Sequence, residues 1–310
     1  MAGRLIALIL VCCGFAACNN YNTKGESITS GELKCAVDNS YSLMMDSEIF
    51  TFKALYANTQ VNVRYVPEAE ALNLLLKDSI QFAVLSRSLL DEEVKSFESR
   101  QRFPESIRIA VDGLAIIVNR SNADSVFTMD QLKEVFTGNK RNWADISGSN
   151  KAGKIDIVLD HPGSCNTRYI KEKFLLQQPF PDNVFAVNTS EEVIEYVHTH
   201  PNSIGVVSVA WLSDKEDPTS QQFLSKVRVA GIIQPNNTLN PTSPRKPYQA
   251  YIYDGSYPLR RDVYAVRTGL RGSVGTGFAS FLAGEKGQLI IHKMGMVAAK
   301  APTRTIKIAE

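Results

Sequence analysis

From residue 33 to residue 97, short apolar runs alternate with longer amphipathic ones, and no other feature constrains the fold as much. Runs at 33–37, 61–65 and 81–85 have the length and composition of buried strands. Stretches at 44–55, 68–76 and 91–97 read as helices. This βαβαβα order argues for an α/β fold with a parallel sheet and helices on its faces. Ligands of such sheets bind beyond the carboxyl ends of the strands, so the turns after the first three strands form a candidate surface.

A second unit follows the apolar run 107–118, which Asp112-Gly113 interrupts. Thr128 with Gln131, and Thr189 with Glu192, fit capping boxes ahead of helices. Runs at 155–159, 205–209, 227–232 and 261–266 read as strands, and 169–176, 193–198, 277–282 and 287–292 as helices. Residues 235–247, rich in Pro, Asn and Ser, read as an exposed loop, and 305–308 as a last strand. Between strand 155–159 and helix 169–176 lies Asp160-His161-Pro162-Gly163-Ser164-Cys165-Asn166-Thr167-Arg168. A strand-to-helix turn of small and hydroxyl residues points backbone N–H groups at one spot, which suits an anion. A Ser or Asn cap without a ligand fits the same residues.

At 310 residues the chain suits one large domain or two ordinary ones, and its formal charge of +2 offers no broad basic face for nucleic acid. Any anion binding is therefore local. Residues 5–17 are apolar, follow a positive start and are too short to span a bilayer comfortably. Phe15-Ala16-Ala17-Cys18 resembles a lipobox, in which cleavage leaves Cys18 as a lipid-modified first residue; an ordinary signal peptide cut nearby is the alternative. Residues 1–18 are thus read as a lipoprotein signal and 19–30 as a polar tether. The mature protein is expected in the periplasm, anchored to a membrane through its N-terminal lipid. With Cys18 acylated, Cys35 and Cys165 remain as an optional disulfide pair.

Cys165 near a helix N-terminus, with His161 four residues earlier, has two ingredients of a thiol nucleophile. No third orienting group accompanies them, so no enzymatic role is assigned. His198 and His200 lack nearby co-ligands for a metal, and Gly275-x-Gly277 breaks the spacing of a dinucleotide loop. No cofactor is expected.

Four segments carry a resemblance: Gly31-Glu32-Leu33-Lys34-Cys35-Ala36-Val37-Asp38, Phe136-Thr137-Gly138-Asn139-Lys140-Arg141-Asn142-Trp143, Asn202-Ser203-Ile204-Gly205-Val206-Val207 and Gly275-Thr276-Gly277-Phe278-Ala279-Ser280-Phe281-Leu282. Together they resemble the phosphate-binding proteins of bacterial high-affinity phosphate ABC transporters, from about residue 31 to about 297. The resemblance implies a two-lobed periplasmic binding-protein fold, type II-like, with mixed sheets flanked by helices and a ligand cleft between the lobes. Lobe one would comprise 31–112 and 258–310, lobe two 113–257, with hinges at Asp112-Gly113 and around Tyr253-Asp254-Gly255. It also implies capture of inorganic phosphate or a similar oxyanion for an ABC permease, by a monomer that performs no chemistry.

The same resemblance places the first-turn ligands at Ser40 and Tyr41, and the second-lobe ligands at Ser164, Cys165, Asn166 and Thr167. The family's Asp after the third strand and Arg before the second-lobe turn correspond to Arg87 and Asp160, an exchange of charge. The turn after the second strand departs from the family: Pro67-Glu68-Ala69-Glu70 puts glutamates where small residues are usual. Glutamates repel an anion unless paired or turned away. Arg87 is open to three roles: pairing with Glu68 or Glu70, pairing with Asp160, or gripping the anion directly. Asp160, Glu68 or Glu70 would accept a proton of hydrogenphosphate, the device by which the family rejects sulfate. Arg168 is a second candidate contact. The Glu68 turn also sustains a different expectation: an interaction or sensory module whose anion site is altered or lost.

Overall fold

The computed structural model describes residues 26–146, 152–176, 178–213, 218–234 and 243–300. The expected signal, Cys18 and the strand at 305–308 lie outside these residues, as does most of the 235–247 loop.

The first half of the chain follows the expected alternation. Strand β1 (Ser30–Asp38) passes through a 3-10 turn at Asn39–Tyr41 into α1 (Ser42–Leu55). Then come β2 (Asn58–Val66), α2 (Glu68–Leu76), β3 (Phe82–Leu85) and α3 (Asp91–Glu98). β1 lies between β2 and β3 and is parallel to both. Every residue of β3 is buried, as expected of a strand covered on both faces. Because the three strands run the same way, the turns after them emerge at one end of the sheet.

β4 (Glu105–Asn119) is a single strand of 15 residues. The strand runs through Asp112-Gly113, where the apolar run is interrupted. Residues Glu105–Gly113 pair with β11, and Leu114–Val118 pair with β8. β4 therefore joins two sheet halves that share no other strand. Gly113 is small for a packing reason: a Cβ there would sit 2.6 Å from Ile252 Cδ1.

The second half carries β5 (Val126–Thr128), α4 (Met129–Phe136), β6 (Asp156–Leu159), α5 (Cys165–Ile170) and β7 (Val184–Ala186). It continues with α6 (Ser190–Thr199), β8 (Ser203–Ser208), α7 (Pro218–Lys226), β9 (Val227–Val229) and β10 (Gly231–Ile233). The expected capping box stands at Thr128, whose hydroxyl accepts the Gln131 N–H while Gln131 Oε1 accepts the Thr128 N–H. At Thr189 the hydroxyl accepts the Glu192 N–H, but the Glu192 carboxylate takes the Asn188 N–H, so that box is half-formed. The run 227–232 is two strands: β9 pairs with β4, and β10 crosses to β5. Helix α8 (Gln249–Tyr253) precedes β11 (Arg260–Arg267), which returns between β3 and β4, antiparallel to both. Helices α9 (Val274–Leu282) and α10 (Glu285–Lys293) and strand β12 (Val297–Ala298) complete the first sheet.

The strand order β2-β1-β3-β11-β4-β8-β6-β7 thus divides at β4 into two lobes. Each has its own aromatic packing, with Phe52 against Phe278 at 5.0 Å in one and Phe136 against Phe174 at 5.1 Å in the other. The turns after β1, β2 and β3 face the turn after β6 across the cleft between the lobes.

Candidate anion site

The centre of the cleft is the carboxylate of Asp38, the last residue of β1. Its Oδ1 accepts the Ser40 N–H at 2.9 Å. Its Oδ2 accepts the Glu68 N–H at 2.8 Å and the Cys165 N–H at 3.0 Å. The Cys165 thiol donates to Oδ1 at 3.1 Å. A carboxylate offers about four lone-pair sites, so these four donors fill it. Three of them are backbone amides from three different turns. Ser40 and Glu68 come from the first lobe, and Cys165 from the second.

Glu68 turns its side chain away from that spot. Its Oε1 accepts the Ser86 N–H at 2.5 Å and the Ser86 hydroxyl at 2.8 Å, and its Oε2 accepts Arg168 Nε at 2.6 Å. Burial works to raise the Glu68 carboxyl, but the Arg168 charge and these hydrogen bonds outweigh it and hold it below its ordinary value. Arg168 reaches across the cleft for this contact and also donates to Ser86 Oγ at 2.6 Å. Glu70 pairs instead with Arg64 at the surface.

Asp160 is answered by its own loop. The Ser164 hydroxyl donates to Oδ1, Asn166 Nδ2 to Oδ2 at 2.7 Å, and the Thr167 hydroxyl to Oδ1 at 3.3 Å. The Ser40 hydroxyl reaches Oδ2 from the other lobe at 3.4 Å. The expected cationic partner for Asp160 is therefore not required, and its acceptor sites are taken. Burial and the Asp38 charge push its carboxyl up to about 7.

Below these turns lies a buried ion pair. Arg261 on β11 stands in register with Asp112 on β4 and donates Nε and Nη2 to Asp112 Oδ2 at 3.2 and 3.0 Å. Ser208 donates to Asp112 Oδ1 at 2.8 Å. Arg261 Nη2 also donates to Asn166 Oδ1 at 2.7 Å, and its guanidinium sits 5.4 Å from the Tyr41 ring centroid. Two buried donors here, Tyr41 Oη and Arg261 Nη1, have no hydrogen-bond partner among the described residues.

Direct contacts hold the lobes together around this cluster. Ala69 N–H donates to Gly163 C=O at 3.0 Å, Ser190 N–H to Asn39 Oδ1 at 3.0 Å, and Trp211 Nε1 to Ser40 C=O at 3.0 Å. Gly163 permits the close approach, since a Cβ there would stand 3.3 Å from Ala69 Cβ.

Of the expected site residues, Ser40, Tyr41, Glu68, Asp160, Ser164, Cys165, Asn166 and Thr167 come together in this cleft. Arg87 does not join them. Its guanidinium grips both oxygens of Glu93 at 2.8 and 2.7 Å and donates to Ser88 C=O, so none of its three expected roles is met. The reason is local: Glu93 sits in the first turn of α3, where its carboxylate also takes the Leu90 N–H. Arg87→Ala is accordingly expected to leave any anion affinity of the cleft within about twofold and to cost about 1 kcal/mol of stability. Calorimetry beside urea unfolding checks both.

Cys165 is fully buried, and its thiol is pushed well above its ordinary range by burial, against the pull of Arg261. His161 turns to the Gly163 N–H, so the Cys-His pairing is not built. Cys35 and Cys165 are both free thiols. His198 and His200 meet backbone carbonyls, and no metal-ligand cluster occurs among the described residues. A separate groove of about 750 Å³, lined by Arg120, Arg228, Lys246 and Lys293 among others, shares no residue with the cleft cluster.

Sequence reasoning did not place Asp38, Ser86, Asp112 or Arg261 among the site residues. Asp38 carried a signal, being the acidic residue at a strand's carboxyl end before a turn, but its two distant amide partners are 30 and 127 residues away.

Comparison with known proteins agrees with this architecture. The chain is 25% identical over 248 residues to the phosphate-binding protein PstS of Pseudomonas aeruginosa, covering 76% of this chain and 72% of that one. It is 23% identical over 211 residues to PstS of Bacillus subtilis, covering 67% and 68%. Its structure superposes with TM-score 0.71 on a putative phosphate ABC transporter substrate-binding protein from Clostridium perfringens with bound phosphate, at 20% identity, covering 87% of this chain and all of the other. An ABC-type phosphate transport receptor from Vibrio cholerae gives 0.63 at 22% identity, covering 86% and 100%. These likenesses identify the fold as the two-lobed binding-protein fold. The PBP superfamily domain model matches residues 22–286, and the chain belongs to that superfamily.

Proposed function

We propose that this chain is an extracytoplasmic solute-binding protein that captures an inorganic oxyanion, phosphate first, and delivers it to an ABC importer. The observation that carries this reading is the convergence of the Ser40, Glu68 and Cys165 N–H groups, from both lobes, on one pair of anionic oxygens. Preorganised amides in a desolvated cleft suit a small oxyanion. Arg261 Nη1 and Tyr41 Oη are buried donors to which a bound oxyanion would give an acceptor. The protein works by capture and closure, with no covalent step. Phosphate-binding proteins among its relatives and structural neighbours support the same solute.

In this reading the solute meets Ser40, Tyr41, Glu68 and Cys165, while Asp160, Ser164, Asn166 and Thr167 shape the second-lobe wall. The lobes are 31–112 with 258–310, and 113–257. The change of β4 partners between Gly113 and Leu114 supports that division. Residues 1–18 direct export, Cys18 carries the lipid that holds a monomer to a membrane facing the periplasm, and 19–30 is the tether. No helix among the described residues is long and apolar enough to cross a membrane.

One observation favours a second reading, an interaction or sensory module with an altered site: the cradle already holds the chain's own carboxylate. Calorimetry with phosphate near pH 7 separates the two. Saturable one-to-one binding, competed by arsenate and not by sulfate, is expected for the transport reading. No heat and no thermal shift from a well-folded protein would decide for the module.

A further inference from the structure

We infer that Asp38 is an internal ligand, whose carboxylate fills the cleft's anion cradle and determines whether a solute oxyanion enters. The inference rests on reading the cleft as the oxyanion site.

A plain cap does not account for the geometry. Capping of the turn after β1 needs only the Ser40 N–H, which Oδ1 takes. Oδ2 instead binds the Glu68 amide at the start of α2 and the Cys165 amide at the start of α5 in the other lobe. Asp38 thus joins three turns and both lobes, as a captured solute does in a cleft protein. The Cys165 thiol adds a fourth donor, at 3.1 Å. Asp38 is fully buried, so these bonds stand where water does not compete.

The occupied cradle sets the consequence. Four buried carboxyl residues, Asp38, Glu68, Asp112 and Asp160, line these turns and the ion pair below them, with Arg168 paired to Glu68 and Arg261 to Asp112. A phosphate dianion arriving at the cradle finds the three amides taken by Asp38. It therefore enters by exchange, with the Asp38 carboxylate leaving the cradle as phosphate arrives. Apparent affinity then equals the intrinsic affinity scaled by the fraction of molecules whose cradle is vacated. A small neutral side chain at 38 removes the competitor and leaves the amides, Arg261 Nη1 and Tyr41 Oη for the solute.

Phosphate calorimetry on the full-length protein and on Asp38→Ala and Asp38→Asn tests this. Asn keeps an oxygen to cap the Ser40 amide and guards against loss of the fold. Both variants are expected to bind phosphate at least tenfold tighter than wild type. Equal or weaker binding by both folded variants overturns the inference. Amide hydrogen exchange, read by NMR without any solute, separates it from the phosphate reading. The Ser40, Glu68 and Cys165 amides should be protected in wild type, and Glu68 and Cys165 should lose protection in Asp38→Ala. If no protein binds phosphate but this pattern appears, Asp38 stands as the internal ligand and the phosphate reading fails. Unprotected amides in wild type overturn the inference whatever phosphate does.

Discussion

Arg261→Ala is expected to lower stability by about 3–5 kcal/mol, because it strands a fully buried carboxylate. Asp112 has no side-chain exposure and Arg261 only 4%. Burial raises the Asp112 carboxyl, and the Arg261 charge pulls it back down, so removing Arg261 leaves the desolvation cost unopposed. The loss extends to the site, since Arg261 also bonds Asn166 and lies over the Tyr41 ring. Urea unfolding should show a lower midpoint with an unchanged slope. The double variant Asp112→Leu/Arg261→Met is expected to recover most of the loss, because a well-packed apolar pair replaces a buried ion pair at little cost. A loss below about 1 kcal/mol in Arg261→Ala would place this pair in contact with water.

The second large effect lies away from the cleft. Glu48 occupies the buried stripe of α1 with Met44, Met45, Ile49 and Phe52, and neither of its carboxyl oxygens has a hydrogen-bond partner among the described residues. Burial pushes its carboxyl up to about 9. The folded state thus holds the Glu48 proton more tightly than the unfolded chain, whose carboxyl titrates near pH ~4.3. The contribution to stability is complete below that pH and declines as pH rises toward 9, by about 1.4 kcal/mol per unit at most. Glu48→Gln removes the titration. Its stability relative to wild type should therefore grow steadily between pH 5 and pH 8.5. Parallel curves for the two proteins over that range would show that Glu48 finds a partner or water in solution.

How much could be read from the residues depended on the range of the interaction. The alternation over 33–97 was legible because parallel strands and covering helices each leave a local pattern of burial. Asp112-Gly113 looked like a break because a charge and a glycine stood inside an apolar run. The strand continues because Arg261, 149 residues away, answers the charge, and Ile252 fills the space above the glycine. Glu68 looked repulsive to an anion, yet Arg168 from the facing lobe turns it aside, a contact spanning 100 residues. Arg87 misled for the opposite reason. Its partner Glu93 was only six residues off, at a helix start where acidic residues are ordinary. Asp38 stood in view at the end of β1, but its place at the centre of the site exists only once three turns are brought together.

Arsenate soaked into crystals of Asp38→Ala and located by its anomalous scattering tests the oxyanion cleft most directly. One arsenic peak is expected within hydrogen-bond reach of the Ser40, Glu68 and Cys165 amides, displaced by an excess of phosphate. A peak only in the groove lined by Arg120, Arg228 and Lys246, or none in a folded protein, would contradict it.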